Sequence, residues 1–384
     1  MLHFQRSPLV CAALAVLFCL ACPAYGVLAQ ERMAANADPA PAAFPSLLSC
    51  LRLQGPFSFC GEPVPLDDPD VRERMEKEVA LTLWNRAQII LNIKRSGRYF
   101  PYIEQRLADR GLPDDLKYLA VIESALRPHA GSHRGAVGYW QFIRPTGLKY
   151  GLRVDQNIDE RRNLFTSTEA ALDMLTELHA EFGSWCVAAA AYNMGDNGMR
   201  KRIRIQGVND YFKLHLPLET QAYVFRALAI KMIMTDPARY GFHFIPSDFY
   251  APEQFDRVRV ELAQDTPLSD IAAAAGTYFK VIKDLNTHIL GNDLERGSHT
   301  LLVPAGAGEG FQARLAARTA ASAPAAQTKA AAGKKEVFVY VVKRGDNLHG
   351  IARKLGVPLA SVLKPNSLKK DSVIHPGQKL MVTR

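Results

Sequence analysis

The stretch DDLKYLAVIESAL, residues 114–126, has a helical pattern that carries a carboxylate near its end. Glu123 ends an apolar run that begins at Leu116, and Pro113 with Asp114 is typical of a helix start. A carboxylate beside such a run is costly unless a partner satisfies it or the chain uses it. Glu123 is therefore either a surface residue at a helix end, or an acid whose pKa is raised from about 4.3 towards 6 for chemistry.

Helical periodicity continues on both sides of this stretch, from about residue 67 to about residue 240. Apolar residues recur at three- and four-residue steps in residues 71–95, and residues 167–183 have a Ser-Thr cap and a final glycine. The Gly-rich segment HAGSHRGAVGYWQFIRPTGLKYG, residues 129–151, is long for a structureless loop, and such loops are usually functional. The pattern predicts a mainly α domain over residues 67–250.

The first 29 residues have the features of a secretory signal. Arg6 precedes an apolar core that is too short and wrongly flanked for a membrane-spanning helix. Cleavage near Ala29 would release the chain, whereas lipidation of Cys22 would associate it with the outer membrane, and both alternatives stay open. We predict an exported protein of the periplasm or cell envelope, with residues 30–66 as an N-terminal leader whose Ala/Pro-rich start is flexible.

Composition narrows the class of protein and of partner. The 384 residues are 48% hydrophobic and 22% charged, and the formal net charge is +9. A basic protein outside the cytoplasm is suited to an anionic polymer, such as a cell-wall glycan with acidic peptides, and export argues against nucleic acid. The sequence does not identify a protein partner.

The histidines and cysteines predict neither a metal nor a cofactor. The ten histidines are scattered, and beyond the signal region the sequence has no HExxH or CxxC motif. Beyond the signal region the cysteines are Cys50, Cys60 and Cys186. Because disulfides persist in exported proteins, we predict that Cys50 and Cys60 close the loop between them, and that Cys186 is a small buried helix residue.

The C-terminal third contains a repeat. Residues 265–303 and 345–382 align at an offset of 80, with matched apolar positions and a matched asparagine, Asn286 and Asn366. We predict two small α+β modules, at residues 258–304 and 336–384, joined by an Ala-rich linker at residues 305–335 whose composition suits a tether. A repeat on a flexible tether usually adds binding valency rather than catalysis.

Three short motifs provide side chains of the kind that bind sugars. Each motif alone is more often core or cap, but together they combine amide, phenol and aromatic groups. The motifs are GYWQF at 138–142 with Tyr139 and Gln141, AAYN at 190–193 with Tyr192 and Asn193, and ETQAYV at 219–224 with Glu219 and Tyr223.

A second carboxylate, which most glycosidases use, is not evident. Asp159, Glu160 and Glu169 are candidates, but IDERRN at residues 158–163 is more typical of a structural charge cluster before a capped helix. If no second acid faces the cleft, a substrate with an N-acetyl group can use its own carbonyl. Glu123 alone would then suffice.

Five segments occur in a specific order: IESALRPHA, GAVGYWQFIRPTG, IDERRN followed by STEAA, AAYNMG, and LPLETQAYV. Over about residues 98–242 they resemble the catalytic domain of lytic murein transglycosylases, which have a goose-type lysozyme fold. The resemblance implies that Glu123 protonates the glycosidic oxygen between N-acetylmuramic acid and N-acetylglucosamine. Glu123 would then accept the proton of the muramoyl C6 hydroxyl as that oxygen closes a 1,6-anhydro ring.

The resemblance also implies roles for the other motif residues. Four of them fall on the family's site motifs and would position the sugars: Ser124, Gln141, Tyr192 and Asn193. Tyr139 stands where the family often has Leu, which bears on subsite detail. Glu219 and Tyr223 match a motif that lines the same cleft.

The C-terminal repeats resemble LysM peptidoglycan-binding modules, and RGDNLHGIARKLGV at residues 344–357 is the clearer copy. The resemblance implies glycan binding at Asp346, Asn347 and Ile374. The first copy lacks the Gly-Asp opening and is expected to keep the fold without the ligand.

The function predicted from the sequence is therefore an exported peptidoglycan lytic transglycosylase that binds glycan strands. Two alternatives remain. A hydrolytic muramidase of the same fold would need a carboxylate, Asp159 or Glu169, to hold water opposite Glu123. A non-catalytic cell-wall-binding scaffold would not need Glu123 at all.

Overall fold

A computed structural model describes residues 45–322, 337–369 and 372–383. Contacts divide the chain into two compact units, with the division between Arg318 and Thr319. The predicted signal at 1–29, the leader up to residue 44 and most of the predicted linker lie outside the described residues. Among the helices that are described, none is long and apolar enough to cross a membrane.

The first unit begins with a mainly helical domain, which confirms the predicted fold class. The helix Leu164–Phe182 is capped by Asn163 rather than by the predicted Ser167-Thr168 pair, because Asn163 Oδ1 accepts the Phe165 amide at 2.9 Å. The helices are α1 Leu47–Cys50, α2 Pro69–Trp84, α3 Arg86–Asp109, α4 Lys117–Ser124, α5 Arg144–Lys149, α6 Leu164–Phe182, α7 Trp185–Met194, α8 Asp196–Gln206 and α9 Leu218–Thr235.

The centre of this domain is the alanine-rich helix α7. Its residues 186–191 are buried, and α7 packs between α6 and α9. Small side chains let the helix axes approach closely, so that larger residues of α6 and α9 fill the surrounding core. Because α4 also packs on α9, Glu123 at the end of α4 is held against the same scaffold.

Part of the predicted leader belongs to this domain. A short hairpin, β1 Ser58–Phe59 with β2 Glu62–Pro63, places the Phe59 ring in the core. The Glu62 carboxylate accepts the Ser184 hydroxyl at 2.7 Å and the amides at the start of α7. A carboxylate is stabilised at a helix N-terminus. The folded domain therefore starts before the predicted boundary at residue 67.

The predicted Cys50–Cys60 disulfide is wrong for this structure, because both thiols are free. Cys50 is buried in α1, whereas Cys60 occupies the hairpin turn at φ 53° and its amide donates to Asp115 at 2.7 Å. Burial, reinforced by the charges of Asp115 and Glu62, raises the pKa of the Cys60 thiol. This suppresses the thiolate that disulfide exchange requires. Cys186 is buried in α7, as predicted.

The first repeat forms a module in the same unit. Strand β3 Phe255–Leu262 pairs antiparallel with β6 Gly297–Pro304, and helices α10 Leu268–Ala274 and α11 Phe279–Leu285 lie between them in the chain. A second, short antiparallel strand pair links the segment before α10, β4 Thr266–Pro267, to the segment after α11, β5 Asp293–Leu294.

The predicted linker is wrong at its beginning. Residues Phe311–Ser322 form helix α12, and Phe311 and Leu315 are buried in the core of the first module. These side chains lie one helical turn apart, so they present one apolar stripe to the module. The folded module therefore extends well past residue 304.

The second repeat follows the predicted order of strand, helix, helix and strand. It comprises β7 Val337–Val341, α13 Leu348–Leu355, α14 Ala360–Leu363 and β8 Lys379–Thr383, with β7 and β8 antiparallel. The matched asparagines make the same bonds in both copies. Asn286 Oδ1 accepts the Leu302 amide at 2.9 Å, and Asn366 Oδ1 accepts the Met381 amide at 2.8 Å. The sequence repeat is thus a structural repeat.

Candidate active site

A cleft of about 790 Å³ opens beside the C-terminal end of α4. The Gly-rich segment forms one wall, and the ends of α6, α7 and α8 form the opposite side. The structure brings five of the predicted site residues to this cleft: Glu123, Gln141, Tyr192, Asn193 and Glu219.

Glu123 lies in the last turn of α4, where the chain reverses direction. Ala125 and Leu126 adopt left-handed conformations at φ 54° and 57°, which ends the helix directly after the carboxylate. Part of the side chain faces the cleft, but its packed surroundings leave the carboxylate poorly hydrated. The C-terminal end of the helix carries a partial negative charge, which also disfavours an ionised carboxylate at this position.

Burial raises the pKa of Glu123 from its ordinary value of 4.5 to about 7. The hydroxyl of Tyr223 donates a 2.6 Å hydrogen bond to Glu123 Oε1, which opposes the rise because it stabilises the ionised form. The negative charge of Glu219 adds to the rise in pKa. A carboxyl with this pKa has both protonation states accessible at neutral pH, as an acid that later serves as a base requires.

Tyr223 acts from behind the carboxylate. It projects from α9 and is 3% exposed, and burial raises the pKa of its phenol well above 10. The phenol therefore remains a hydrogen-bond donor, and it fixes the orientation of the Glu123 carboxyl.

The wall of the cleft is a network of tight turns around Gly138. Gln141, at φ 49°, donates its amide to Gly138 O at 2.9 Å and to Ala130 O at 3.2 Å. Gly138 has φ 87°, and a Cβ built there would lie 1.8 Å from Arg161 O. Only glycine fits this position, because the wall lies directly against the segment that carries Arg161.

The end of α7 attaches to this wall and to α9. The Tyr192 hydroxyl donates to Trp140 O at 2.7 Å, and its ring meets the edge of Phe142. Asn193 Oδ1 accepts the Thr220 hydroxyl at 2.9 Å. Both side chains line the cleft from fixed positions, which limits the entropy lost when a ligand binds.

Ser124 and Tyr139 lie behind the cleft instead of lining it. Ser124 is 3% exposed, and its hydroxyl lies 2.7 Å from Tyr139 O and 3.0 Å from Ala120 O. Tyr139 is 4% exposed, and its ring packs edge-on against Tyr99 on the far side of the wall. The expectation that these two residues contact sugars is therefore wrong for this structure, because the Ser124 hydroxyl holds the wall on α4 and the Tyr139 ring packs against α3.

The predicted candidates for a second acid do not line the cleft. Asp159 is buried and forms a bidentate pair with Arg161, at 2.8 Å for both bonds. Glu169 pairs with Arg106 and Arg110, and Glu160 accepts the Arg153 amide at 2.7 Å. Glu219 is the predicted carboxylate that shares the cleft with Glu123.

A polar rim at the opposite side of the cleft is absent from the sequence prediction. Glu177 accepts the Tyr150 hydroxyl at 2.7 Å and pairs with Lys149 at 3.3 Å. Arg200 pairs with Asp196 at 2.7 Å and with Glu181. The sequence has a basic run, MRKRIRI at 199–205, but such runs are usually solvated helix faces. The packing of α8 beside α7 is what brings Arg200 to the cleft.

The second LysM-like module has a separate pocket of about 260 Å³. It lies between residues 346–349 and 372–374, so Asp346, Asn347 and Ile374 lie around one pocket. Asp346 accepts the Lys343 amide and the Tyr340 hydroxyl, both at 2.8 Å, and these bonds lower its pKa. Asn347 caps α13 by accepting the Gly350 amide at 2.7 Å. Both side chains thus shape the loop that borders the pocket.

Known proteins share both parts of this architecture. The Transglycosylase SLT domain family matches residues 101–214, and the LysM domain family matches residues 340–383. The membrane-bound lytic murein transglycosylase D of Escherichia coli (strain K12) is 31% identical over 334 residues, which cover 85% of this chain and 72% of that protein.

Two solved structures show a more distant similarity. The 70 kDa soluble lytic transglycosylase Slt70 of Escherichia coli is 22% identical with a TM-score of 0.31, over 40% of this chain and 26% of that chain. The lytic transglycosylase Slt of Pseudomonas aeruginosa is also 22% identical, with a TM-score of 0.27, over 36% of this chain and 24% of that chain. This chain thus matches about a quarter of the length of each.

The helical domain and its cleft, with the matched SLT and LysM regions, define a transglycosylase of the SLT class. The chain belongs to the family of lytic murein transglycosylase D, and it is a peptidoglycan lytic transglycosylase. This assignment excludes the non-catalytic scaffold.

Proposed function

We propose that the enzyme cleaves the β-1,4 bond between N-acetylmuramic acid and N-acetylglucosamine and leaves 1,6-anhydromuramoyl ends, with Glu123 as the catalytic acid and base. The observation that carries the proposal is the Glu123 carboxyl itself, which faces the cleft with a pKa of about 7. Glu123 then performs both proton transfers.

In the first step, protonated Glu123 donates its proton to the glycosidic oxygen as the bond to the muramoyl C1 breaks. The N-acetyl carbonyl of the same sugar stabilises the developing positive charge, so no second carboxylate is required. In the second step, ionised Glu123 accepts the proton of the C6 hydroxyl while that oxygen bonds to C1. The proton balance closes, and Glu123 returns to its starting state.

The Tyr223 hydrogen bond supports this exchange of roles. It stabilises the carboxylate that exists between the two steps and holds Oε1 in place. Gln141, Tyr192 and Asn193 are proposed to position the sugars, because they line the cleft on either side of Glu123.

A hydrolytic muramidase is the second candidate, and Glu219 is the observation that favours it. Glu219 lines the same cleft and lies close enough to Glu123 to raise its pKa. An ionised Glu219 that held a water opposite Glu123 would give reducing-end products. The transglycosylase proposal assigns no proton transfer to Glu219.

The products decide between the two reactions. Purified sacculi are digested in water enriched in oxygen-18, and the muropeptides are weighed by mass spectrometry. We expect anhydro products without the label. Labelled reducing-end products, one water heavier, would replace the proposal with muramidase.

The matched variants are Glu123→Gln and Glu73→Gln, an exposed glutamate on α2. Glu123→Gln keeps the shape of the side chain but removes the proton donor, so turnover should fall by at least about 100-fold, the lower end of a general acid–base contribution. Glu73→Gln should retain full turnover. Appreciable turnover by Glu123→Gln would contradict the assigned role.

We further propose that residues 1–29 direct export to the cell envelope and that the second LysM module retains the enzyme on glycan strands through Asp346, Asn347 and Ile374. The likeness to a membrane-bound relative supports an envelope location. The mass of the mature N-terminus distinguishes cleavage near Ala29 from lipidation at Cys22. Ile374→Ser, which places a hydroxyl in the pocket, should weaken sacculus retention and leave turnover of short soluble chains unchanged.

A further inference from the structure

We propose that the first LysM-like module is a fixed brace that positions the active-site wall, and that its former ligand groove is closed. The inference rests on the proposed function in one respect: the wall that the module braces borders Glu123, the proposed catalytic residue. It assigns the first repeat a role different from that of the second.

The groove is closed by the module's own backbone. In the second module, the segments at 346–349 and 372–374 border an open pocket. The offset of 80 relates them to 266–269 and 292–294 in the first module, where β4 and β5 pair instead. Thr266 lies opposite Leu294, and the Leu268 amide donates to Asn292 O at 2.8 Å. Strand pairing thus occupies the space that holds a ligand pocket in the second copy.

The loop before β5 is bonded to the catalytic domain. Ile289 forms a bridge with Ile158, and both side chains are buried in the core of the module. Three polar contacts surround this pair. The Asp159 amide donates to His288 O at 2.8 Å, the Thr287 hydroxyl donates to Arg162 O at 2.7 Å, and the Leu290 amide donates to Asn157 O at 2.7 Å.

Charged contacts extend the attachment towards the surface. The Glu295 carboxylate accepts Asn157 Nδ2 at 2.6 Å and Arg153 Nη2 at 2.9 Å. Residues 153–162 are therefore held in a fixed position on the first module by backbone hydrogen bonds, a buried isoleucine pair and a carboxylate. A flexible tether would not make this set of contacts.

Residues 153–162 in turn hold the wall of the cleft. The buried Asp159 carboxylate orients the Arg161 guanidinium, whose Nη1 donates to Gly135 O at 2.9 Å and to Phe142 O at 3.0 Å. Arg161 O packs closely against Gly138, where an added Cβ would lie 1.8 Å from that oxygen. Arg161 thus connects the module's loop to the wall, so displacement of the loop should be passed to Gln141 and Phe142 beside Glu123.

The physical consequence is a wall whose position depends on the module. Catalysis depends on near-attack geometry, and small displacements of positioning groups lower kcat steeply. The Tyr223 bond to Glu123 comes from α9, outside this chain of contacts, so loosening the brace should leave the pKa of Glu123 unchanged.

The test uses the full chain with the double substitution Thr287→Val and Glu295→Ala. These side chains are not in the core of the module, so it should still fold. The control is Glu261→Ala, an exposed glutamate on β3 whose carboxylate pairs with Arg259 of the same strand. Readouts are kcat and KM on soluble glycan chains, the pH profile, and amide hydrogen exchange over residues 135–142 and 153–163.

For the double variant we expect faster exchange in both segments and a threefold to tenfold loss of kcat, with the pH profile unmoved. The control should match the parent protein. Faster exchange at 153–163 alone, with kcat and residues 135–142 unchanged, would overturn the proposal, because the module would then be attached without bracing the wall.

The closed groove is tested in the same exchange experiment by adding a hexamer of N-acetylglucosamine. Unchanged exchange at residues 266–269 and 292–294 supports closure, and protection there overturns it. These readouts do not depend on which products form. Anhydro or reducing ends bear only on the proposed reaction, whereas the exchange results bear only on the brace.

Discussion

Replacing Tyr223 by Phe tests the electrostatic argument at the centre of the site. The substitution removes one hydroxyl, which donates a 2.6 Å hydrogen bond to Glu123 Oε1, and keeps the buried ring. That bond favours the ionised carboxylate, so its loss leaves burial and Glu219 to raise the pKa of Glu123 further. The sign is therefore fixed: the pKa rises.

The magnitude follows from the strength of the lost bond. A hydrogen bond to a charged group contributes about 1.5–3 kcal/mol, and one pKa unit corresponds to about 1.4 kcal/mol. The pKa of Glu123 should thus rise by about 1 to 2 units above its value of about 7. Because the protonated form begins the reaction, the alkaline fall in kcat/KM moves to higher pH by the same amount.

The assay is the pH dependence of kcat/KM on a soluble glycan chain. Maximal kcat should also fall, about tenfold, because the carboxyl loses its orientation and is a stronger base that donates less readily. Tyr118→Phe is the control, since its buried hydroxyl meets Thr235 at 3.4 Å, away from Glu123. An alkaline limb that stays in place, or moves to lower pH, would refute the reasoning.

Three further predictions concern stability and retention. Glu123→Gln should be more stable than the parent at pH 8 by up to about 3 kcal/mol. The reason is that folding raises the pKa of the parent's Glu123 from 4.5 to about 7, so the parent protein loses stability as the pH rises between those values. In denaturant titrations, a difference in unfolding free energy between variant and parent that is the same at pH 4 and pH 8 would contradict this. Gly138→Ala should lower the free energy of unfolding by at least about 2 kcal/mol more than Gly135→Ala. Both glycines have positive φ, but only at Gly138 would the new Cβ clash with a backbone atom, Arg161 O at 1.8 Å. Equal denaturation midpoints for the two variants would be inconsistent with the clash. Ending the chain after Ser322 should weaken sacculus retention in pelleting assays while turnover of short soluble chains persists, and unchanged retention would remove the binding role of the second LysM module.

The sequence located the carboxyl that we propose as the catalytic acid, but not its surroundings. Glu123 stood out because a charge beside an apolar run needs an explanation, and the structure places it in a cleft. The part that its neighbours play could not be predicted in the same way. Ser124 and Tyr139 lie on matching motifs but are turned to the back of the wall, whereas Tyr223, 100 residues away, donates to the carboxyl.

The domain boundaries show the same distinction. The compositional change at residue 305 predicted a linker, yet Phe311 and Leu315 extend the first module, because two apolar residues one turn apart are enough to dock a short helix. The predicted Cys50–Cys60 pair depended on sequence proximity, but the hairpin holds Cys60 on Asp115. Proximity along the chain does not fix the direction in which a side chain points.

By itself the sequence determined the helical class, the order of the modules, the repeat and the position of the proposed acid, because periodicity, motif order and an isolated charge are local signals. Only the tertiary structure decided which groups tune that acid, which carboxylates are neutralised by arginine, and why one repeat keeps a pocket while the other closes it. Those outcomes depend on burial and on contacts between distant segments, since the pKa of Glu123 and the closure at Thr266 and Leu294 exist only after packing removes water and brings the partners together.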